Sequence, residues 1–248
     1  MVMLPALNQL FPTEIDIDAW YAVMASEWSQ GQHVGIIGPT GTGKTTVAHT
    51  ILDSREYVCV LAVKGHDDTL ERFKKGHEYG RASYKLITSW PPDYPIRRVI
   101  YWAKPKGLTD DSEQASKIHK ALNAMYMSGG WCVYFDEAGY IAGNLGLGKA
   151  LGILLNQGRS SYISIVATMT RPRSMIARVP VETLNQCRHL ILFKYVDERE
   201  IKACAEIAGI SPRVMTSYMA SLQYHGSKKF TDFLHVHEGN IRIVRNKE

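Results

Sequence analysis

Cysteine is scarce in this chain of 248 residues. There are four, Cys59, Cys132, Cys187 and Cys204, and no two of them form a C-x-x-C pair. That argues against a disulfide framework. Cys59 and Cys132 fall inside apolar, strand-like runs, so reduced thiols and a cytoplasmic location are the expectation. Long hydrophobic runs are also missing, and none approaches the ~20 residues that a membrane-spanning helix needs. The opening stretch "MVMLPALNQLFPTE" is apolar, but it has no basic flank and is broken by Pro5 and Pro12. It does not read as a signal peptide. No internal repeat and no low-complexity tract is present. The nine histidines show no metal-ligand spacing. His235 and His237 in "HVH" share one face of an expected hairpin strand and read as structural. Neither sign of charge dominates: the formal net charge is +5 and the pI about 8.9. This permits a polyanionic partner without demanding one.

What is present is an alternation of short buried strands and helices. A helix is expected over about Asp16 to Ser29, with Trp20, Met24 and Trp28 on one face. "HVGIIG", "YVCVLAV", "YKLIT", "RRVIYW", "WCVYF", "YISIVATM" and "HLILFKY" read as strands. "KTTVAHTILD", the run from Asp110 to Ser128, "ALGILLNQGR" and "DEREIKACAEIAG" read as helices. Lys64–Arg81 reads as a loop with room for one helix, and "GNLGLGK" (Gly143–Lys149) as a flexible loop. The tail reads as a hairpin turning at Glu238–Asn240. Such alternation implies an α/β fold with a mainly parallel central sheet covered on both faces, closed by a C-terminal β-hairpin. No linker stands out. One domain is expected, with an N-terminal helix within residues 1–30, a core over about 33–209 and an extension over 210–248.

The stretch "GPTGTGKTT", Gly38–Thr46, matches G-x-x-x-x-G-K-[ST] between a strand and a helix. Gly38, Gly41 and Gly43 let the backbone curl so that the loop's N–H groups converge on phosphate oxygens, with Pro39, Thr40 and Thr42 as the intervening loop residues. The following helix offers its positive end. Lys44 can reach the β- and γ-phosphates, Thr45 can hold Mg²⁺ through its hydroxyl, and Thr46 completes the cradle. ATP and Mg²⁺ are therefore the expected ligands.

"WCVYFDEAGYI" ends a buried strand with two adjacent acids, Asp136 and Glu137. Asp136 suits the metal. Glu137 suits the orientation and deprotonation of an attacking water. A small-molecule kinase transfers to a hydroxyl and usually lacks this glutamate, so the pair favours hydrolysis.

"NQGRSSYISIVATMTRPRS" places Arg159 just before a strand and Thr170-Arg171-Pro172 just after it. Thr170 is a candidate γ-phosphate sensor, and Arg159 a candidate to complete a neighbouring subunit's site. Together, the glycine-rich loop, "VYFDEAG" and "GRSSYISIVATMTRP" resemble the FtsK/HerA group of DNA translocases and viral genome-packaging ATPases. The resemblance runs from about Val34 to Gly209. Thr170 stands where the group usually has glutamine, and Tyr162 where it has glycine. The resemblance implies a P-loop NTPase sandwich of the additional-strand, catalytic-glutamate type. It implies ATP hydrolysis driving double-stranded DNA, without regard to sequence, through a homo-oligomeric ring of five or six subunits, with a viral portal or capsid protein as a possible docking partner. Catalytic roles fall to Lys44, Glu137, Arg159 and Thr170, with Lys104, Lys106 and Lys149 as candidate phosphate contacts in a DNA channel. Arg171, Arg173, Arg178 and Arg188 form a basic stretch that could equally be a solvated face. Two other readings stay open: a non-motor ATP-dependent switch or assembly protein, and a small-molecule kinase.

Overall fold

The computed structural model describes residues 12–64, 68–92, 95–105, 111–176, 179, 181–224 and 231–246. Lys106 and Arg178 lie outside them. In chain order the strands are β1 (Thr13–Asp16), β2 (His33–Ile37), β3 (Val58–Ala62), β4 (Lys85–Ile87), β5 (Arg98–Trp102), β6 (Cys132–Phe135), β7 (Ser164–Met169), β8 (Cys187–Phe193), β9 (Phe233–His237) and β10 (Asn240–Arg245). They form one sheet in the order β1-β10-β9-β8-β2-β7-β6-β3-β5-β4. From β4 to β8 all neighbours are parallel. Strand β7 lies between β2 and β6, so one extra strand separates the strand that feeds the glycine loop from the one that ends in Asp136 and Glu137.

The central strands are apolar throughout because both faces are covered. Side chains alternate between two cores. Val34, Ile36, Val60, Tyr134 and Val166 face α1 (Ile17–Glu27), α2 (Lys44–Leu52) and α3 (Asp68–Lys74), meeting Trp20, Val47 and Phe73. Ile37, Leu61, Val133, Phe135 and Ile165 face the opposite layer. That layer contains α4 (Asp111–Ser128), α5 (Ala138–Gly143), α6 (Gly148–Gln157), α7 (Pro172–Ile176), α8 (Val181–Leu184), α9 (Glu198–Ala208) and α10 (Pro212–Ser221). The four cysteines are free and buried in these cores.

Four features depart from the sequence expectation. The hairpin β9–β10 turns at Glu238 and Gly239, both at positive φ, but it is not the sheet edge. Strand β1 pairs parallel with β10 outside it. Its sequence, TEID, carries two acids and no apolar alternation; the ladder and an Arg245–Glu14 ion pair at 2.6 Å hold it there. The helix that follows runs Ile17–Glu27, with the Asp16 carboxylate accepting from Ala19 N–H at its start. The stretch Gly143–Lys149 is not a free loop: Leu145 and Leu147 are buried in the short connection between α5 and α6. Finally, α10 was not anticipated, although Ser211 caps it and Pro212 opens its first turn, the ordinary signals of a helix start.

Candidate functional site

The glycine loop leaves the C-terminal end of β2 and curls into α2. At Gly38 a side chain has no room, because an added Cβ would lie 2.6 Å from Phe193 Cβ on β8 and 2.9 Å from Thr42 Oγ1. Gly43, at φ 96°, turns the chain into the helix in a conformation that favours glycine. Inside the curl the Lys44 ammonium donates to the carbonyls of Gly38 and Pro39, both at 2.8 Å. Thr42, itself buried, donates to the Pro39 carbonyl at 2.9 Å. Burial lowers the Lys44 pKa to about 8 against the opposing pull of Asp136 and Glu137, with Lys64 adding to the depression.

The two acids stand across from this lysine. The Tyr134 hydroxyl donates to Asp136 Oδ1 at 3.0 Å. The two candidate metal ligands, Thr45 and Asp136, line one cavity. Glu137 is a non-glycine residue in the left-handed region, φ 59° and ψ 62°. Such a conformation costs on the order of 1–3 kcal/mol and persists only where surroundings enforce it. Here Thr168 Oγ1 accepts from Glu137 N–H at 3.0 Å, and the Glu137 carbonyl accepts from Tyr140 N–H at 2.9 Å as α5 begins. Lys64, just past β3, lies 3.4 Å from Asp136 Oδ2 and 3.3 Å from Glu137 Oε1.

A cavity of about 390 Å³ joins these groups, lined by the loop from Thr40 to Thr46 and by Lys64, Arg72, Asp136, Glu137, Thr168 and Thr170. Thr170 therefore reaches the site, and its carbonyl is tied to Tyr195 Oη at 2.7 Å. Thr168, which sequence reasoning passed over, makes the closer contacts, donating to the Phe135 carbonyl at 3.2 Å and lying 3.4 Å from Asp136 Oδ1. Its signal was available: it is two residues before Thr170, on the same strand face. Lys64 and Arg72 carried no comparable signal, because they reach the site through the crossover from β3.

Other candidates are placed elsewhere. Arg159 sits in a 3₁₀ turn, Gly158–Ser161, before β7. It is exposed, and its backbone packs on Gly31, which precedes β2. The six residues of β7, at ~3.3 Å each, put it roughly 20 Å from its own chain's loop. Arg171 borders a smaller cavity with Glu137 and Thr170, while Arg173 is exposed. Arg188 pairs with Glu238 on the hairpin turn, so it is not an unpaired member of a basic face. Lys104 lies over the Trp102 ring at 5.5 Å, and Lys149 is exposed in the first turn of α6.

Among the described residues no helix is long and apolar enough to cross a membrane. No family model matches the sequence, and no curated protein matches it. Solved structures do share its fold. The genome-packaging NTPase B204 from Sulfolobus turreted icosahedral virus 2, in complex with AMPPCP, is 14% identical at a TM-score of 0.62, covering 88% of this chain and 98% of that one. The bacterial conjugative coupling protein TrwB, in complex with sulphate, is 9% identical at a TM-score of 0.58, covering 95% and 93%. VirB4 of Thermoanaerobacter pseudethanolicus is 8% identical at a TM-score of 0.56, covering 87% and 89%. The fold is thus one shared with a viral genome-packaging NTPase and a conjugative coupling protein.

Proposed function

We propose that this chain is an ATP hydrolase whose turnover drives double-stranded DNA through a homo-oligomeric ring, in the setting of viral genome packaging. The observation that carries the hydrolase reading is the convergence of Lys44, Thr45, Asp136 and Glu137 on one cavity at the C-terminal ends of β2 and β6, which flank β7. The DNA-translocation reading rests on the motifs and on the fold shared, over nearly its full length, with a packaging NTPase.

The residues present fit a hard divalent cation. A hydroxyl and a carboxylate, those of Thr45 and Asp136, line one cavity, and the ammonium of Lys64 already lies against both acids. Mg²⁺, when bound, would neutralise charge on the β- and γ-phosphates. Thr45 and Asp136 would hold it. Lys44 would exchange its two carbonyl partners for phosphate oxygens. Glu137, fixed by its backbone and only half-buried, would orient water and accept its proton. Thr168 would keep the two acids in register, with Thr170 facing the terminal phosphate. Arg159 would serve an adjacent subunit, since it cannot reach its own. Lys104, Lys106 and Lys149 are proposed as contacts to DNA phosphates, indifferent to sequence.

The test is the ATPase rate with and without duplex DNA, alongside the oligomeric mass. A ring whose hydrolysis rises with DNA of any sequence, and whose DNA binding weakens steeply with salt, is expected. Hydrolysis indifferent to DNA would leave the non-motor switch as the better reading. Phosphorylation of a small molecule would leave the kinase.

A further inference from the structure

The roles given to Lys44, Thr45, Asp136 and Glu137 leave Lys64 without one, although it touches both acids. It stands just past the end of β3, and β3 pairs with β6, the strand that ends in those acids. Its ammonium lies 3.3 Å from Glu137 Oε1 and 3.4 Å from Asp136 Oδ2. Stability does not account for the contact with Glu137. The two side chains are 39% and 45% exposed, and an ion pair so open to water adds little to folding.

The chain around Lys64 is held more firmly than a surface pair requires. Its carbonyl accepts from Trp102 Nε1, at the end of β5, at 3.0 Å. The carbonyl of Val63 accepts from Gln114 Nε2 at 2.8 Å, and the same amide nitrogen donates to the Ala103 carbonyl at 2.7 Å. Gln114 belongs to α4 and is 1% exposed. The chain leaving β3 is thus clamped to the chain leaving β5, and the Lys64 side chain starts from a fixed point.

Glu137 is fixed only in part. Its main chain is tied through Thr168 Oγ1 and Tyr140 N–H. Its carboxylate lies three torsions further out and is half-exposed. Among the described residues, Lys64 is its one ionic partner. A base that must meet a water in one orientation loses rate when it turns freely. An ammonium on one carboxylate oxygen stops that rotation and leaves the other oxygen to the water.

We propose that Lys64 is a positioning residue for hydrolysis, whose ammonium holds Glu137 Oε1 so that Oε2 meets the attacking water. This inference rests on the reading of Glu137 as the base. The cation is assigned to Thr45 and Asp136, so it contests the Lys64–Asp136 contact and not the one with Glu137.

Lys64→Met, Glu137→Gln and the variant carrying both are compared in the full chain. Steady-state and single-turnover ATP hydrolysis are measured with duplex DNA present, and nucleotide affinity is measured by calorimetric titration with the β,γ-methylene analogue of ATP. In Lys64→Met, kcat is expected to fall about 10- to 100-fold, while KM and analogue affinity stay within about twofold of the parent. Added to Glu137→Gln, Lys64→Met should cost nothing further, because it acts through a carboxylate that is already gone. A full additional loss in the double variant overturns the proposal, since Lys64 would then act on the phosphates directly. A loss confined to KM and analogue affinity overturns it too, and makes Lys64 a phosphate contact. If Lys64→Met does not fold, Lys64→Gln takes its place. Parent-like turnover in Lys64→Met, with Glu137→Gln inactive, sinks this inference alone. Parent-like turnover in Glu137→Gln sinks the reading of the base and this inference with it.

Discussion

At the C-terminal ends of β2, β3, β6 and β7 stand Lys44, Lys64, Asp136 and Glu137, around a cavity. At the N-terminal ends of β2, β7 and β8 the polar groups are packed instead. His33 Nδ1 accepts from Ile165 N–H at 3.1 Å. The His189 and His237 rings stack 4.0 Å apart. Glu27 takes two hydrogen bonds from Arg242, at 2.9 and 2.7 Å, and pairs with His237 at 3.1 Å. The first end holds charges on stand-in partners, lysine on carbonyls and lysine on acids, and stores strain at Glu137. The second packs its imidazole rings against one another and closes a bidentate ion pair. In the proposed hydrolase one end of the same strands exchanges partners with a ligand, while the other holds the sheet and its hairpin together. The exception at the second end is Arg159, exposed at the foot of β7.

The largest expected effect tests that exception. Arginine fingers are worth roughly 10³–10⁵ in rate. Arg159→Ala, whose own loop is intact, and Lys44→Ala, whose arginine is intact, should each be inactive alone. Mixed rings place an intact arginine beside an intact loop at some interfaces, so ATPase activity should partly return. Mixed oligomers that form, as shown by native mass, but recover no activity would make Arg159 part of the structural end after all. Arg171, which borders the cavity beside Glu137, would then be the next residue to replace.

Glu137→Gln sharpens the contrast from the other side. General-base groups contribute about 10²–10⁴-fold, so hydrolysis should fall by that amount while ATP binding persists. A variant that turns over ATP at near the parent rate would remove Glu137 from proton transfer. A second reading of the same variant concerns Lys64, which would lose its contact with Glu137 and keep that with Asp136. Because Glu137 is half-exposed, that change should alter stability by less than about 1 kcal/mol.

The loop and the acid pair were legible in sequence because each depends on local chemistry: glycines where the backbone must curl, two carboxylates at a strand end. The alternation of strands and helices was legible in the buried runs, and the extra strand between β2 and β6 was implied by the family resemblance. Lys64 and Arg72 were not legible, because their roles depend on how the crossover between β3 and β4 folds back over α2. That segment is polar and has no period. Strand β1 was hidden for a related reason, since an edge strand with one covered side needs no apolar alternation. Arg159 is the reverse case: its position in the chain was evident, but its distance from its own phosphate loop emerges only from the parallel arrangement of β2 and β7.

The last effect concerns the buried histidines, three at the packed end and His49 in α2, and their pH dependence. Burial holds His33 and His49 at about 4 and His189 at about 3, and His235 well below its ordinary value. All four are therefore neutral in the folded chain near pH 7. In the unfolded chain they titrate near 6.5. Below that pH the unfolded state binds more protons, so folding stability is fully present above about pH 6.5 and is lost as pH falls towards 4. Each histidine should contribute a loss on the order of 1–2 kcal/mol between pH 7 and 5. Urea midpoints measured at the two values check the sum, and replacing His33, His189 and His235 one at a time apportions it. Variants that fold should show a shallower slope between pH 7 and 5. A stability that is flat across this window in the parent chain would mean that these rings are not kept neutral, and the contrast between the two ends of the sheet would fail at the histidines.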